Sequence, residues 1–262
     1  MKQKLDNQVA CWDGYILHPI LATLDHFFTA SGYTNVKFSG DKTYSSAIWR
    51  KTLFDGYDSA FVLTSQRLKT SISGVLDLQA DLQIHSNTQV QVENKLGLHE
   101  CDSTIFRIKN STGIIASIGF NWLTQRWEPK KPNAYLLWYK VRLSDSDISA
   151  QAIFDLFLSH GVPFFNYIGK PEALANALVR PESVPGYDFR AGSINSVSRF
   201  EYAAIILNND GQPKSALNIL DNYLISIENG SLNENQQAVH YCKERKLRNW
   251  ILQASGGAIV KS

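Results

Sequence analysis

Cysteine is scarce in this sequence, and the spacing of the cysteines argues against two common ways of stabilising a small domain. The 262 residues include three cysteines, Cys11, Cys101 and Cys242. They are far apart, odd in number and form no C-x-x-C pair, so neither a disulfide framework nor a zinc site is indicated. A chain of this length buries roughly 70 to 75% of its unfolded surface and holds a core without such staples. We therefore expect a reduced, cytoplasmic protein with no metal and no other cofactor.

A charge bias and a long apolar run are missing as well. The chain has 26 Lys and Arg against 24 Asp and Glu, a formal net charge of +2, whereas nucleic-acid binders usually carry a strongly basic face. The longest apolar stretch near the start, 15–24, contains His18 and Pro19 and suits neither a membrane span nor a secretory signal. The sequence thus predicts neither a nucleic acid nor a membrane as partner, and it leaves the oligomeric state open.

The well-known catalytic signatures are absent too. The sequence contains no G-x-S-x-G elbow, no Walker loop and no G-x-G-x-x-G, so acyl-transfer, phosphate-binding and dinucleotide sites have no local signature. Its six histidines form no H-x-x-x-H or H-E-x-x-H spacing, which removes the local motifs for metal ligation. We assign no catalytic residue and interpret the chain as non-enzymatic.

Hydrophobic periodicity predicts an α+β fold. Apolar residues follow helical spacing over 8–31, alternate or cluster in short runs from Val36 to Leu143, and return to helical spacing afterwards. In 76–85 every even-numbered residue is apolar and every odd-numbered one is polar, which is typical of an antiparallel strand with one buried and one wet face. We expect an antiparallel sheet of about six or seven strands, with an N-terminal helix and a C-terminal helical layer.

Turn residues and helix caps predict where the other elements begin and end. Further strands are expected at 43–53, 59–65, 88–93, 103–109, 114–127 and 134–143. Helices are expected at 147–160, ended by Gly161 and Pro163, and at 172–179, 197–208, 213–228 and 234–254, the last opened by a capping box at Ser231 and Glu234. The segment 180–196 is rich in Pro, Gly and Ser, so we divide the chain into an α+β sheet domain, 1–180, and a helical segment, 197–262, packed on it.

One predicted hairpin combines aromatic and basic residues at its tip. Trp122, Arg126, Trp127, Lys130 and Lys131 surround the turn between the strands 114–127 and 134–143. Aromatic rings and arginines are enriched at protein interfaces. We predict these five residues to be a partner-binding surface; the alternative is that the tryptophans pack inward and the lysines keep the turn soluble.

A strand ending in Glu-x-Lys supports an alternative function. Glu93 ends the predicted strand 88–93, Lys95 comes two residues later, and Asp81 lies on the strand before it. Carboxylates on neighbouring strands can hold Mg²⁺ while a lysine orients water or stabilises charge. The alternative is therefore a Mg²⁺-dependent nuclease that uses Asp81, Glu93 and Lys95.

The C-terminal helices support another alternative, a scaffold or regulatory protein that docks a partner through them. The last helix carries a basic cluster, Lys243, Arg245, Lys246 and Arg248. Because the cluster is spread over more than one face of the helix, we interpret it as a solvated surface rather than a nucleic-acid stripe.

Several segments in this order resemble an uncharacterised bacterial family found among the immunity proteins of polymorphic toxin systems. They are LDHFFTASGYT, SSAIWRKT, SQRLKTSISGVLDLQADL, IFDLFLSHGVPFFNYIGKPEALANAL and YAAIILNNDGQPKSALNILDNYL, between Leu24 and Leu224. This chain differs from that pattern in a longer segment at 87–126 and an additional last helix from Glu234. The resemblance implies a small non-enzymatic cytoplasmic protein that binds and neutralises a cognate toxin, and it identifies no catalytic residue.

Overall fold

The structure is a computed structural model that describes residues 14–40, 44–66, 75–101, 113–119, 139–142, 145–180, 198–230 and 232–256. Its strands are β1 (Thr34–Gly40), β2 (Tyr44–Phe54), β3 (Tyr57–Gln66), β4 (Val75–Ser86), β5 (Ile114–Gly119) and β6 (Tyr139–Arg142). Its α-helices are α1 (Gly14–Ala30), α2 (Asn87–Leu96), α3 (Ser146–Leu156), α4 (Val162–Tyr167), α5 (Pro171–Val179), α6 (Ser198–Asn209), α7 (Pro213–Asn229) and α8 (Glu234–Ala254).

The strands form one sheet, and the α+β class is confirmed. Within the described residues the sheet has the order β1-β2-β3-β4-β5, and β6 also pairs with β4. Strands β1 and β2 pair antiparallel, with Phe38 opposite Ala47, and so do β4 and β6, with Leu76 opposite Val141. The strands expected at 43–53, 59–65 and 76–85 are confirmed as β2, β3 and β4. The strand expected at 103–109 lies outside the described residues.

The chain divides into two compact units. The first comprises Met1–Leu53, Asp58–Gln83 and Ser117–Asn166; the second comprises Phe54–Tyr57, Ile84–Ala116 and Tyr167–Ser262.

The core of the first unit is a cluster of aromatic rings around α1. Phe28 contacts Trp49, Phe61 and Phe157, with ring centroids 4.9, 4.8 and 4.9 Å away, and all four side chains are fully buried. The Trp49 indole N–H donates to Asp25 Oδ1 at 2.9 Å, so the largest buried ring keeps its one polar atom satisfied. The helical spacing of apolar residues gives α1 one apolar face, and that face packs on the sheet.

Strand β4 shows the predicted alternation on one face only. Leu78, Ala80 and Leu82 are buried, as expected, at 2% exposure or less. The intervening Gln79, Asp81 and Gln83 are half-buried rather than wet, and His85 is buried. The second face of this strand is thus partly covered, which places polar groups in a poorly hydrated environment.

The predicted end of the helix at Gly161 is wrong. After α3 the chain makes a π-helical turn at Phe157–Gly161, in which the Val162 N–H donates to the Phe157 carbonyl, and then continues into α4. A Cβ on Gly161 would lie 2.6 Å from Phe157 Cδ2, so this glycine is needed for close packing and does not end the helix. The wide turn also accommodates Pro163, which has no N–H to donate.

The stretch Ser146–Tyr167 is the one candidate for a membrane span within the part of the chain that the structure describes. It is long and apolar enough to cross a membrane, as the core helix of a soluble protein can also be. Ile153, Phe157 and Phe164 are buried against protein, at 2% exposure or less, and 39% of the most apolar window of this stretch is buried.

The strand predicted at 88–93 is wrong, because these residues belong to α2. Ser86 caps the helix, with its Oγ accepting from the Gln89 N–H at 3.0 Å, and Gly97 ends it in the left-handed conformation at φ 60°. A hydroxyl cap and a left-handed glycine are strong helix boundaries. They outweigh the alternation of valine and polar residues between them.

The C-terminal helices are confirmed as α6, α7 and α8, within one residue of the predicted bounds, and α5 begins at Pro171, one residue before the predicted start at 172. The capping box of α8 differs from the expected one at Ser231 and Glu234. Its N-cap is Asn233, whose side chain accepts from the Gln236 N–H, while the Gln236 side chain accepts from the Asn233 N–H.

Candidate functional site

The aromatic-basic hairpin predicted to bind a partner falls on residues outside those the structure describes. These residues are Trp122, Arg126, Trp127, Lys130 and Lys131. Their partner-binding role stays a prediction.

The three residues of the nuclease alternative lie on two different kinds of element. Asp81 is on β4, whereas Glu93 and Lys95 are on α2, so the strand ending in Glu-x-Lys, on which that alternative was based, is not formed. Glu93 Oε1 accepts from Gln89 Nε2 one helical turn earlier, at 3.1 Å. Within the described ranges, no group of three or more His, Cys, Asp or Glu side chains could hold a metal ion.

Among the described carboxyl groups of the first unit, Asp81 has a clearly raised pKa. Burial raises its pKa from 3.8 to about 6, and the hydrogen bond from Gln79 Nε2, at 3.3 Å, opposes that rise only in part. A perturbed carboxyl marks a functional site only when other groups converge on it. The neighbouring amide alone does not make Asp81 such a site.

The cysteine prediction is wrong for two of the three residues. Cys101, at the end of a 3₁₀ helix (Leu98–Cys101), and Cys242, on α8, form a disulfide with a Cα–Cα distance of 5.8 Å. They are 141 residues apart in sequence, and no local spacing rule could have paired them.

Four buried side chains form a polar network in the second unit. Glu201 projects from α6, Tyr223 from α7, and His240 and Lys243 from α8. The Tyr223 hydroxyl donates to Glu201 Oε1 at 2.6 Å and lies 2.7 Å from His240 Nδ1. Lys243 Nζ donates to both oxygens of Glu201, at 3.2 Å each. We call this group the buried polar network.

With Glu201 ionised, the contacts assign the protons within the buried polar network. An ionised Glu201 can accept hydrogen bonds but cannot donate one, and the phenol of Tyr223 has a single proton to donate. Because Tyr223 donates that proton to Glu201, its oxygen can only accept from His240. The Nδ1 atom of His240 therefore carries a hydrogen. This N–H also lies 3.4 Å from Glu201 Oε1, and its interaction with the carboxylate is attractive.

The ionisation of the network follows from these contacts. Burial by itself would raise the pKa of Glu201, but hydrogen bonds from His240 and Tyr223 and the charge of Lys243 outweigh burial and hold that pKa below its ordinary value. Burial, and then the negative charge of Glu201, raises the pKa of Tyr223. Glu201 therefore stays ionised and Tyr223 stays protonated around neutral pH.

The basic cluster on the last helix is not a solvated surface throughout, which corrects that interpretation. Lys243 is 5% exposed, and it shares the buried stripe of α8 with Leu247 and Ile251. The network was not predicted from the sequence because the whole basic cluster, Lys243 included, was interpreted as a solvated surface. The signal was present: His240, Lys243 and Leu247 are spaced three and four residues apart, as on one face of a helix.

The outward side of the two last helices has a different character. Ile225 on α7 is 55% exposed, and Tyr241 and Leu252 on α8 are 38% and 40% exposed. Between them, Arg248 Nη2 donates to Asp221 Oδ1 at 2.8 Å. We call these five residues the outer face; helical geometry places Ile225 and Tyr241 on one side of the Arg248–Asp221 bridge and Leu252 on the other.

A cleft of about 620 Å³ lies elsewhere in the second unit, near the start of α5. Its charged lining residues are Lys170, Glu172, Arg180 and Asp210. Two cations and two carboxylates give it no preference for a ligand of one sign.

Comparison with known proteins adds no relative. A scan against protein-family models, a search of curated proteins and a search of solved structures each found no match.

Proposed function

We propose that this chain is a non-enzymatic protein-binding module of the immunity type, which binds and neutralises a cognate toxin domain. The observation that carries the proposal is the outer face, where Ile225, Tyr241 and Leu252 expose apolar surface around Arg248. Tyrosine and arginine are, with tryptophan, enriched among interface anchors, and surrounding neighbours exclude water from them.

The chemistry of the outer face selects the kind of partner. Arg245 lies one turn after Tyr241, is exposed, and has no ion pair with any residue that the structure describes. A partner that places a carboxylate opposite Arg245 and apolar side chains over Ile225 and Tyr241 would match this surface in charge and polarity. The resemblance to immunity proteins agrees with such a partner being a toxin domain.

The test is co-expression with the product of the neighbouring reading frame. We expect that product to stop growth of the host, and this chain to restore growth and to form a one-to-one complex with it. In the complex, Ile225→Asp and Tyr241→Asp should each weaken binding at least tenfold, because a carboxylate would be buried without a partner. Ile148→Asp is the matched control, since Ile148 is 74% exposed but lies on α3.

Two results would reject the proposal. One is a neighbouring product that is not toxic or is not bound by this chain. The other is a complex that Ile148→Asp weakens as much as Ile225→Asp does. The predicted hairpin is tested in the same assay with Trp122→Ala and Trp127→Ala.

A further inference from the structure

The disulfide between Cys101 and Cys242 joins the 3₁₀ helix to the side of α8. Neither cysteine is fully buried, so a small reductant can approach the bond. We propose that this disulfide is a redox-sensitive latch, which sets how firmly α8 is held in the second unit. The proposal goes beyond toxin binding and does not depend on it.

The latch lies on one side of α8, where Lys246 also makes one hydrogen bond and one solvent-exposed ion pair. Lys246, one turn after Cys242, donates to the Gly97 carbonyl at 2.8 Å and lies 3.3 Å from Glu100 Oε2. The Glu100 side chain is 68% exposed, and an ion pair with so much water around it adds little. The disulfide is therefore the strongest connection described between α8 and the 3₁₀ helix.

The opposite side of α8 stays anchored when the latch opens. Leu247 and Ile251 are fully buried, and Lys243 keeps its ion pair with Glu201. Opening the bond therefore removes one attachment of α8 and leaves its buried contacts in place. The expected result is a helix that stays folded and in place but opens more often.

The switching chemistry is thiol–disulfide exchange with a dithiol. The thiolate of the reductant attacks one sulfur and forms a mixed disulfide, while the other cysteine leaves as a thiolate and takes up a proton. The second thiol of the reductant then displaces the remaining cysteine and closes into its own disulfide. Two electrons and two protons pass to Cys101 and Cys242, and in a reducing compartment the latch stays open until the thiol pool is oxidised.

The first experiment counts free thiols in the full chain. After equilibration with oxidised glutathione and unfolding, N-ethylmaleimide should label neither Cys101 nor Cys242, and after dithiothreitol it should label all three cysteines. A peptide containing the linked Cys101 and Cys242 should appear only in the oxidised sample. Alkylation of Cys101 and Cys242 in the oxidised sample would overturn the proposal.

The second experiment measures hydrogen exchange in both redox states. We expect amides of α8 between His240 and Ile251 to exchange at least tenfold faster after reduction, while amides of α1 do not change. Cys242→Ser and Cys101→Ser should match the reduced state under oxidising conditions, and Cys11→Ser should match the oxidised wild type. Equal exchange of α8 in both states, or equal acceleration in α1, would reject the latch.

Discussion

Lys243 and Lys246 lie three residues apart on α8 and differ in their surroundings. The side chains of Lys243 and Glu201 are 6% and 4% exposed, whereas those of Lys246 and Glu100 are 31% and 68% exposed. Removing one partner of a buried pair leaves an uncompensated charge and costs about 3 to 5 kcal/mol, while an exposed pair contributes at most about 1 kcal/mol. We therefore expect Lys243→Met to lower the free energy of unfolding several-fold more than Lys246→Met.

Equilibrium urea unfolding of the oxidised protein measures this difference. The two variants make the same substitution on the same helix, so helix propensity and lost side-chain length are matched. Equal losses of stability in the two variants would show that the buried polar network does not depend on the Lys243 charge.

At the scale of elements, Gly161 lets the helical segment pack closely against Phe157 of the aromatic core. Alanine there would place its Cβ 2.6 and 2.9 Å from two carbons of Phe157, a fully buried ring that has little room to move. Overpacking of this kind costs about 1 to 3 kcal/mol, more than the gain of up to about 1 kcal/mol in helix propensity. We expect Gly161→Ala to lower the thermal midpoint of unfolding. The same substitution should lower the midpoint less when Phe157→Leu is also present, because leucine has no ring for the new Cβ to meet.

A double-mutant cycle provides the control. If Gly161→Ala costs the same with phenylalanine and with leucine at position 157, the two residues are not coupled and the packing explanation is wrong.

Residues that begin or end helices explain which elements could be predicted from the sequence. Pro171 and Pro213 begin α5 and α7, and Gly211, at positive φ, follows the end of α6. These residues act through backbone geometry alone, and the predicted helix bounds there agree with the structure. At α2 the same kind of signal was present in Ser86 and Gly97, but the alternating valines were given more weight.

The parts of the site that could not be predicted depend on distant pairing. The partner of Cys101 is 141 residues away, and Glu201 contacts Tyr223 and Lys243 only after three helices have packed. The members of such a pair are too far apart in sequence for a local pattern to connect them. Only the burial of Lys243 could be predicted, from its spacing on one side of α8.

At the scale of the whole molecule, one carboxyl in each unit should give the two units opposite responses to acid. The folded-state pKa of Asp81 is raised from 3.8 to about 6, so its ionisation opposes folding as the pH rises through that range, by about 3 kcal/mol for a shift of about two units. The pKa of Glu201 is lowered, so its contribution is present above its ordinary pKa of 4.5 and is lost as the pH falls through the lower folded value.

Asp81→Asn and Glu201→Gln separate these contributions. We expect Asp81→Asn to be more stable than the wild type at pH 7, with a difference that disappears below about pH 4. Glu201→Gln should be less stable than the wild type at pH 7, and the difference should narrow only at pH values below 4.5. Unfolding followed by hydrogen exchange in α1 and α8 assigns each effect to its unit. A pH-independent gain for Asp81→Asn would show that its carboxyl titrates as an ordinary exposed group, and the half-buried face of β4 would then need another explanation.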